Sequence, residues 1–358
     1  MIRSIVLAAT VAFAGTASAL EITNVSHSPA AIDPSKRQQV TVRFHLSEPA
    51  QVALRIFDGR DFLVREIATK KSLGVGDAHL VWDGRDAKGR VAPSEAYAYT
   101  LLATPAQGPP IEWDLTDLSG NEELAVSGAR FDPRTHSVLY ELASPARVSI
   151  RGGLNSGPLL RTIVDWVARA AGPHAEPWNG KDEAGLIDAS NHPDVQVTAQ
   201  AWSLPRNTIV VLPERPRVEL ISGLGESATR RSKRREEPFR ERALHQQPIE
   251  RRGDVKIRLS LPNETKRDRD GHLVASGRTA IELDVDPADR PRLLEQRFEV
   301  GFFIDGKYVF ENEVGFLPMT FIWDAGAANA GVHFVTGNVW GYSGQFGTAT
   351  IAVRAAPK

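Results

Sequence analysis

The sequence predicts an all-β protein built of three tandem β-sandwiches, with a charged linker before the third. Three observations carry this prediction: apolar and polar residues alternate with a period of two, turn residues recur at short intervals, and one block of sequence repeats at a constant offset. The 358 residues are 42% hydrophobic and 24% charged, which are ordinary values for globular domains. At about 150 residues per domain, this length suggests two or three domains.

The first 19 residues have the pattern of a signal peptide. Arg3 precedes an apolar stretch over residues 5–14, and Ala17-Ser18-Ala19 is the small-x-small pattern that signal peptidase accepts. The apolar stretch falls short of the roughly 20 residues that span a bilayer, and no later segment reaches that length. We therefore expect residues 1–19 to be removed, and the protein to be exported to the periplasm or cell exterior of a bacterium without a membrane span.

Composition excludes several classes of function. The chain has no cysteine, which excludes disulfides, zinc-thiolate sites, iron–sulfur clusters, covalently attached c-type haem and cysteine nucleophiles. Its formal net charge is -1, so a globally basic nucleic-acid binder is not expected.

The repeat has an offset of 96 residues. Residues 42–52 recur as residues 138–148, and residues 63–65 recur as residues 159–161. Trp82-Asp83-Gly84-Arg85-Asp86-Ala87-Lys88-Gly89 then recurs as residues 178–185 with no insertion between the blocks. This register predicts two copies of one domain, over residues 20–105 and 106–212, of which the second has diverged.

Each copy is predicted to be antiparallel β-structure. In the first copy, apolar residues alternate with polar ones over residues 40–46, 52–56, 78–82 and 97–101. Pro49 lies in the turn between the first two of these strands, and Asp83-Gly84 and Lys88-Gly89 mark tight turns further on. About seven short strands per copy is the pattern of an immunoglobulin-like sandwich.

These residues resemble a known family of repeats. The resemblance rests on Leu46-Ser47-Glu48-Pro49-Ala50, Leu63-Val64-Arg65, Trp82 to Gly89 and Tyr97-Ala98-Tyr99. It is to the immunoglobulin-like repeat named after the flagellar hook-capping protein family, and it covers residues 20–212. The second copy departs from the pattern at Ser190-Asn191-His192-Pro193. The resemblance implies the fold and export, and it does not imply hook capping, because a cleavable leader stands in place of the family's N-terminal assembly region.

Residues 213–252 lose the strand periodicity and carry eleven Lys or Arg against seven Asp or Glu. A solvated charged linker is the simpler interpretation, because glutamates are interspersed and Pro238 interrupts any helix. The more specific interpretation is that this segment docks to an anionic surface. It would use the basic cluster of Arg230, Arg231, Lys233, Arg234 and Arg235.

Residues 253–358 are predicted to form the third sandwich. Alternation returns over residues 255–259 and 280–285, and residues 302–310 read as a hairpin with an Asp305-Gly306 turn. Two further strands are expected over residues 332–339 and 348–353. Six aromatic residues are expected in its core: Phe302, Phe303, Phe310, Phe321, Trp323 and Trp340.

Signals of catalytic chemistry are missing from the sequence. The nine histidines are scattered singly, and no G-x-S-x-G, Walker, dinucleotide-binding or S-x-x-K motif is present. Asp83, Asp86 and Gly89 fit turn roles better than a calcium loop. We therefore expect no enzyme activity, no cofactor and no metal. A hydrolase with a site dispersed over distant strands remains the second alternative.

The predicted function is that of an exported structural or interaction protein with a protein partner in the envelope or an extracellular assembly. Edge strands could capture such a partner by strand addition. The alternative is a polysaccharide-binding protein, whose sugar-stacking residues would be Trp113, Trp166 and Trp202, because these lie outside the repeated core pattern. Partial burial between domains is the simpler interpretation of these three, and Trp82 and Trp178 are expected in the cores.

Overall fold

A computed structural model describes residues 19–212 and 253–356. The leader up to residue 18 and the linker with its basic cluster therefore lie outside the described residues. The strands, in chain order, are β1 (Ile22–Ser28), β2 (Ala31–Ile32), β3 (Val40–Leu46), β4 (Ala50–Phe57), β5 (Leu63–Ala68), β6 (Gly76–Trp82), β7 (Glu95–Pro105), β8 (Ile111–Trp113), β9 (Glu123–Leu124), β10 (Ser127–Asp132), β11 (Ser137–Leu142), β12 (Ala146–Leu154), β13 (Leu159–Arg169), β14 (Gly172–Pro177), β15 (Val195–Ser203), β16 (Thr208–Val211), β17 (Ile257–Ser260), β18 (Leu273–Ala275), β19 (Arg278–Val285), β20 (Phe298–Ile304), β21 (Lys307–Asn312), β22 (Met319–Asp324), β23 (Gly331–Gly341) and β24 (Phe346–Ala355). A 3₁₀ turn covers Pro34–Lys36, and α1 covers Arg290–Leu294. No helix among the described residues has the length and apolarity that a bilayer crossing requires.

The strands form six sheets, which pack in pairs as three β-sandwiches. The first sandwich has the sheets β1-β3-β6 and β2-β16-β7-β4-β5, with β8 added beside β7. The second has β10-β11-β14 and β13-β12-β15-β9, and the third has β17-β19-β22 and β18-β24-β23-β20-β21. Each sandwich has its own cluster of buried apolar side chains. The predicted fold class, all-β tandem immunoglobulin-like sandwiches, is confirmed.

The repeat is visible in the strand positions. Strands β4 and β12 begin at Ala50 and Ala146, β5 and β13 at Leu63 and Leu159, and β6 and β14 at Gly76 and Gly172. Each pair is offset by 96 residues, as in the sequence. The hairpin predicted around Asp305-Gly306 is also present as β20 and β21.

Two strands cross the boundary expected at residue 105. Strand β8 pairs with β7, and β16 pairs with β7 and, in parallel, with β2, so both complete the first sandwich. All four residues of β16 are buried. A fully buried strand suits an internal position between two neighbours, and the end of the second copy therefore returns to the first sandwich.

Trp82 and Trp178 occupy equivalent places in the first and second cores, as expected. Their indole Nε1 atoms donate to the carbonyls of Arg85 at 2.9 Å and Lys181 at 3.0 Å. Asp83 and Asn179 accept from the backbone N–H groups of the same two residues, each at 3.1 Å. The motif that defines the repeat is therefore a structural turn that anchors a core tryptophan.

A related turn occurs in the third sandwich, although that sandwich is not a copy of the repeat at the offset of 96. The carboxylates of Asp86 and Asp268 each accept backbone N–H bonds two and four residues later. The glycine three residues after each aspartate donates to that aspartate's carbonyl, as Gly185 does to Asp182 in the second sandwich. The pattern Asp-x-x-Gly is thus a turn common to all three sandwiches.

The two glycines of the repeated motif have different roles, which gives a first prediction. Gly180 and Gly185 both have positive φ, at 77° and 72°, but a Cβ on Gly180 would lie 2.6 Å from Ser190 Cα, whereas one on Gly185 would meet nothing within 4 Å. We expect Gly180→Ala to cost about 1–3 kcal/mol more than Gly185→Ala, measured by urea unfolding. Gly84 and Gly89 should behave in the same way in the first sandwich. Equal losses at both positions would contradict this assignment.

The third core contains most of the expected aromatic residues. Phe302, Phe303 and Trp323 are buried, and Phe310 and Phe321 pack against the core cluster. Two of the six lie outside that cluster: Phe303 is buried on the outer face of the sheet, and Trp340 is half-buried near Phe346 and close to Gly301. Trp340 also lies on the outer face of the five-stranded sheet, which the second sandwich contacts.

Candidate functional site: the junctions around Trp166

Strand β13 is the edge of its sheet, and it packs against the third sandwich. Its first residue, Leu159, would leave a backbone N–H and C=O unpaired at that edge. The side chain of Asn338, fully buried on β23, satisfies both: Leu159 N donates to Asn338 Oδ1 and Asn338 Nδ2 donates to Leu159 O, each at 2.9 Å. Thr348 Oγ1 also donates to Leu159 O at 2.9 Å. The third sandwich thus covers the start of this edge strand.

Trp166 joins the same two sandwiches further along β13. The register between β12 and β13 shifts at this point, and Trp166 has a left-handed φ of 51°. This strained bulge aims the indole at the third sandwich, where it is 3% exposed and its Nε1 donates to Gly344 O at 3.3 Å. Gly344 itself has a φ of 93°, and a Cβ there would lie 2.9 Å from the indole. Trp166 adopts a strained backbone conformation, and only a glycine fits at position 344 against its indole. The contact between the two is therefore specific.

Four charged residues meet beside this contact. Arg151 Nη2 donates to Gly344 O at 2.9 Å, and its guanidinium lies 4.8 Å from the centre of the Phe346 ring. The same Nη2 lies 3.6 Å from Asp254 Oδ1, and Asp254 N donates to Asp165 Oδ2 at 3.0 Å. Arg292 approaches from α1 and donates to the carbonyls of Gly253 and Asp254. The junction therefore encloses two carboxylates and two guanidinium groups.

The two carboxylates are only partly satisfied by hydrogen bonds. Asp165 Oδ1 and Asp254 Oδ1 have almost no accessible surface, and neither has a hydrogen-bond partner within the described residues. Burial raises the pKa of Asp165. Burial, together with the negative charge of Asp165, raises the pKa of Asp254 to about 7, although Arg151 opposes the shift. At neutral pH the Asp254 carboxyl is therefore protonated for part of the time.

A second junction connects the first and second sandwiches. Arg147 Nη2 lies 2.9 Å from Glu95 Oε1 on β7, and Arg147 Nη1 donates to Trp166 O at 3.1 Å. Asn207, fully buried before β16, donates to Tyr99 O at 2.8 Å and to Thr116 Oγ1 at 3.0 Å. Trp166 therefore contacts, through its own atoms, the arginine that reaches the first sandwich and the glycine of the third.

The three candidate sugar-stacking tryptophans lie in different places. Trp113 is half-buried against the first core and stacks on Tyr99, with ring centres 5.8 Å apart. Trp166 is buried in the junction. Trp202 is half-buried and lines a cleft between the first and second sandwiches with Asp58, Thr116 and Arg147. The structure does not bring them into one exposed aromatic row.

The Asp268 turn groups three potential metal ligands, Asp268, Asp270 and His272, whose ligand atoms lie within 4.8 Å of one another. The potential ligand atoms of Asp268 and His272 already have partners: Asp268 Oδ2 accepts from Arg354 Nε and lies 3.0 Å from His272 Nδ1. The Arg354 guanidinium holds the pKa of Asp268 well below its usual range. Arg354 supplies the positive charge here, and the bridge between Arg267 and Leu273 shows that the group lies at a hairpin tip.

For Trp166 the sequence favours burial between domains, but it does not indicate which residues the indole meets; comparing the two copies reveals one signal. At the offset of 96, Glu66 and Lys70 correspond to Thr162 and Trp166. Both residues are exposed in the first copy, and both are buried in the second. In the first copy Arg55 pairs with Glu66 at 3.1 Å. Its counterpart Arg151 faces Thr162 instead, so it lacks that carboxylate and reaches the third sandwich.

Comparisons with known proteins found similarity only between this chain and solved structures. No protein-family model and no curated relative matches the chain. A tetra-tandem repeat in the extending region of a large adhesion protein is 14% identical with a TM-score of 0.19, over 94% of this chain and 75% of that one. Trypsin-activated alpha-2-macroglobulin from Escherichia coli is 11% identical with a TM-score of 0.19, over 95% of this chain and 23% of that one. A 1.5-MDa bacterial ice-binding adhesin, studied for host cell surface retention, is 10% identical with a TM-score of 0.19, over 95% and 99%. Similarities at this level transfer no function to this chain.

Proposed function

We propose that the protein is an exported, non-enzymatic structural or interaction protein of the bacterial envelope or an extracellular assembly. It acts through the surfaces of its sandwiches, two of which we propose derive from repeats of the hook-capping type over residues 20–105 and 106–212, with β8 and β16 of the second segment completing the first sandwich. The linker 213–252 then leads to the third sandwich, residues 253–358. Residues 1–19 direct its export.

The observation that supports this proposal is the continuous connection between the three sandwiches. Glu95 of the first sandwich pairs with Arg147 of the second, which binds the Trp166 carbonyl, and the Trp166 indole binds Gly344 of the third. Domains in one chain move relative to each other unless their interface is large and specific. The buried Asn338, the Arg147–Glu95 ion pair and a strained tryptophan hold the sandwiches in position. Fixed spacing serves a protein that presents surfaces to partners.

A second candidate function is polysaccharide binding at the Trp202 cleft. Trp202 offers an aromatic face, and Asp58, Thr116 and Arg147 offer polar groups beside it. An aromatic platform with convergent polar groups is what a sugar ring requires. The hydrolase alternative has less support, because neither this cleft nor the one lined by Asp33, Ser35 and Arg85 groups two carboxylates or a Ser–His pair.

In-cell crosslinking, fractionation and mass spectrometry test the proposal. We expect the wild-type chain outside the cytoplasm, crosslinked to one or two specific envelope or filament proteins. Asn338→Ala should reduce this recovery, because it leaves the Leu159 N–H without its acceptor and weakens the attachment of the third sandwich. Ser260→Ala, an exposed change on the opposite sheet of that sandwich, is the matched control and should not.

Two outcomes would contradict the proposal. Retention in the cytoplasm would overturn the export assignment. Recovery of no protein, with the chain held on wall or capsule material and released by Trp202→Ala, would favour polysaccharide binding.

A further inference from the structure

Apolar side chains lie exposed on strand β21 of the third sandwich and on the connection that follows it. Strand β21 ends the five-stranded sheet, and this connection leads to β22, which ends the three-stranded sheet. Four of these side chains are exposed, and together we name them the apolar edge: Tyr308 (55%), Val309 (39%), Val314 (61%) and Phe316 (55%). Single exposed apolar residues are common, but a concentration of this kind marks an interaction site.

A bulge produces part of this exposure. The register passes from Phe302 opposite Phe310 to Phe303 opposite Tyr308, so Val309 has no partner on β20. Phe310 packs on Phe302 and Phe321 in the core, while Tyr308 and Val309 are left outside. Bulges at edges discourage indefinite strand pairing. The edge thus exposes apolar groups while resisting open-ended assembly.

The apolar edge is also acidic. Between Asp305 and Asp324 the chain has four acidic residues and one basic residue, Lys307. Partial desolvation and the negative charges of Glu311 and Glu313 raise the pKa of Tyr308. A second copy of this edge would therefore meet like charge, whereas a basic partner would meet complementary charge.

We propose that the apolar edge binds an extended segment of a partner protein that alternates apolar residues with lysine or arginine. The apolar residues would contact Tyr308 and Phe316, and the basic residues would pair with Glu311 and Glu313. Main-chain bonds along β21 would add to these contacts over the short stretch that the bulge permits. This inference rests on the proposed function, because it names the partner chemistry of an interaction protein.

Selection from a phage-displayed library of random peptides, of about 12 residues each, on the full-length chain tests the proposal. We expect enriched sequences to alternate apolar and basic residues. Their affinity should fall at least about tenfold for the double variant Tyr308→Ser and Phe316→Ser. It should fall for Glu311→Gln with Glu313→Gln as well, with a weaker salt dependence. Val75→Ser, which removes an equally exposed apolar side chain from the first sandwich, is the matched control and should leave binding unchanged.

Three outcomes would overturn the proposal: no enrichment, enriched peptides that still bind the Tyr308/Phe316 variant, or self-association that this variant abolishes. The last would assign the edge to a second copy of the chain. Circular dichroism of each variant separates lost binding from lost folding. If in-cell crosslinking still recovers a protein partner when the selection fails, only this edge is excluded. If neither experiment finds a partner, the proposed function fails as well.

Discussion

Trp166→Ala is expected to release the third sandwich from the second while leaving each sandwich folded. Removing a buried tryptophan costs about 3–5 kcal/mol, and here the indole packs against Gly344 of the third sandwich. The change also removes the donor to Gly344 O. Residues at the centre of an interface carry a disproportionate share of its free energy, and tryptophan is prominent among them. We therefore expect the junction to open before any core unfolds.

Energy transfer between two fluorophores measures this release. The chain contains no cysteine, so cysteines introduced at the exposed positions Ala184 and Ser260 would be the sole labelling sites. Wild-type protein should give one narrow distance distribution, and Trp166→Ala should give a broad one. Trp166→Phe keeps most of the apolar volume and should fall between the two.

Trp113→Ala is the matched control. Trp113 stacks on Tyr99 within the first sandwich, so its loss should lower the free energy of unfolding there without changing the distance between the labels. A narrow distribution for Trp166→Ala, indistinguishable from that of Trp113→Ala, would show that Trp166 does not hold the junction.

The strands of each sandwich could be predicted because the burial of alternate side chains is a local property. Val40 to Leu46 is buried at every second residue, as its sequence suggests, and the offset of 96 carries the strand positions into the second copy. The sheet that a strand joins, in contrast, is not determined by its local sequence. Three of the four residues of β16 are apolar, which predicts burial, but nothing in its residues indicates that it belongs to the first sandwich.

The junction was harder to predict for a related reason. Trp166 was identified because it departs from the repeat, yet sugar stacking and burial between domains both explain an added tryptophan. The decisive facts are the left-handed φ of Trp166 and the position of Gly344, which lies 178 residues later in the chain. Contacts over such separations leave no period in a sequence. Only the exchange of exposed Glu66 and Lys70 for Thr162 and Trp166 hints that a surface is covered in the second copy.

Attachment of the third sandwich is expected to weaken as the pH rises from about 5 to about 7, the pKa of Asp254 in the docked state. Detached, this carboxyl should return to its ordinary value of about 3.9. The docked form then holds the proton more tightly, so the stabilisation is fully present below about pH 4 and is lost as pH rises towards 7. Within this range the docking free energy should fall by up to about 1.4 kcal/mol per pH unit.

The charges that face Asp254 set the size of this effect. Asp165 raises its pKa, Arg151 lowers it, and Arg292, which is also bonded to Asp289, holds the neighbouring backbone carbonyls. Asp254→Asn replaces the carboxyl by a group that is neutral at every pH, so the labelled protein should show a flat profile from pH 5 to 8. Asp165→Asn should flatten the profile in part, because it removes the like charge and leaves the burial.

Asp188→Asn serves as the control for this experiment. Hydrogen bonds from Ser190 hold the pKa of Asp188 below its ordinary value, so Asp188 stays ionised throughout the range and its replacement should leave the slope intact. A slope that survives Asp254→Asn, or docking that tightens as pH rises, would mean that the proton is held elsewhere. A flat profile for Asp254→Asn alone would instead establish that two carboxylates enclosed with Arg151 make the position of the third sandwich depend on pH.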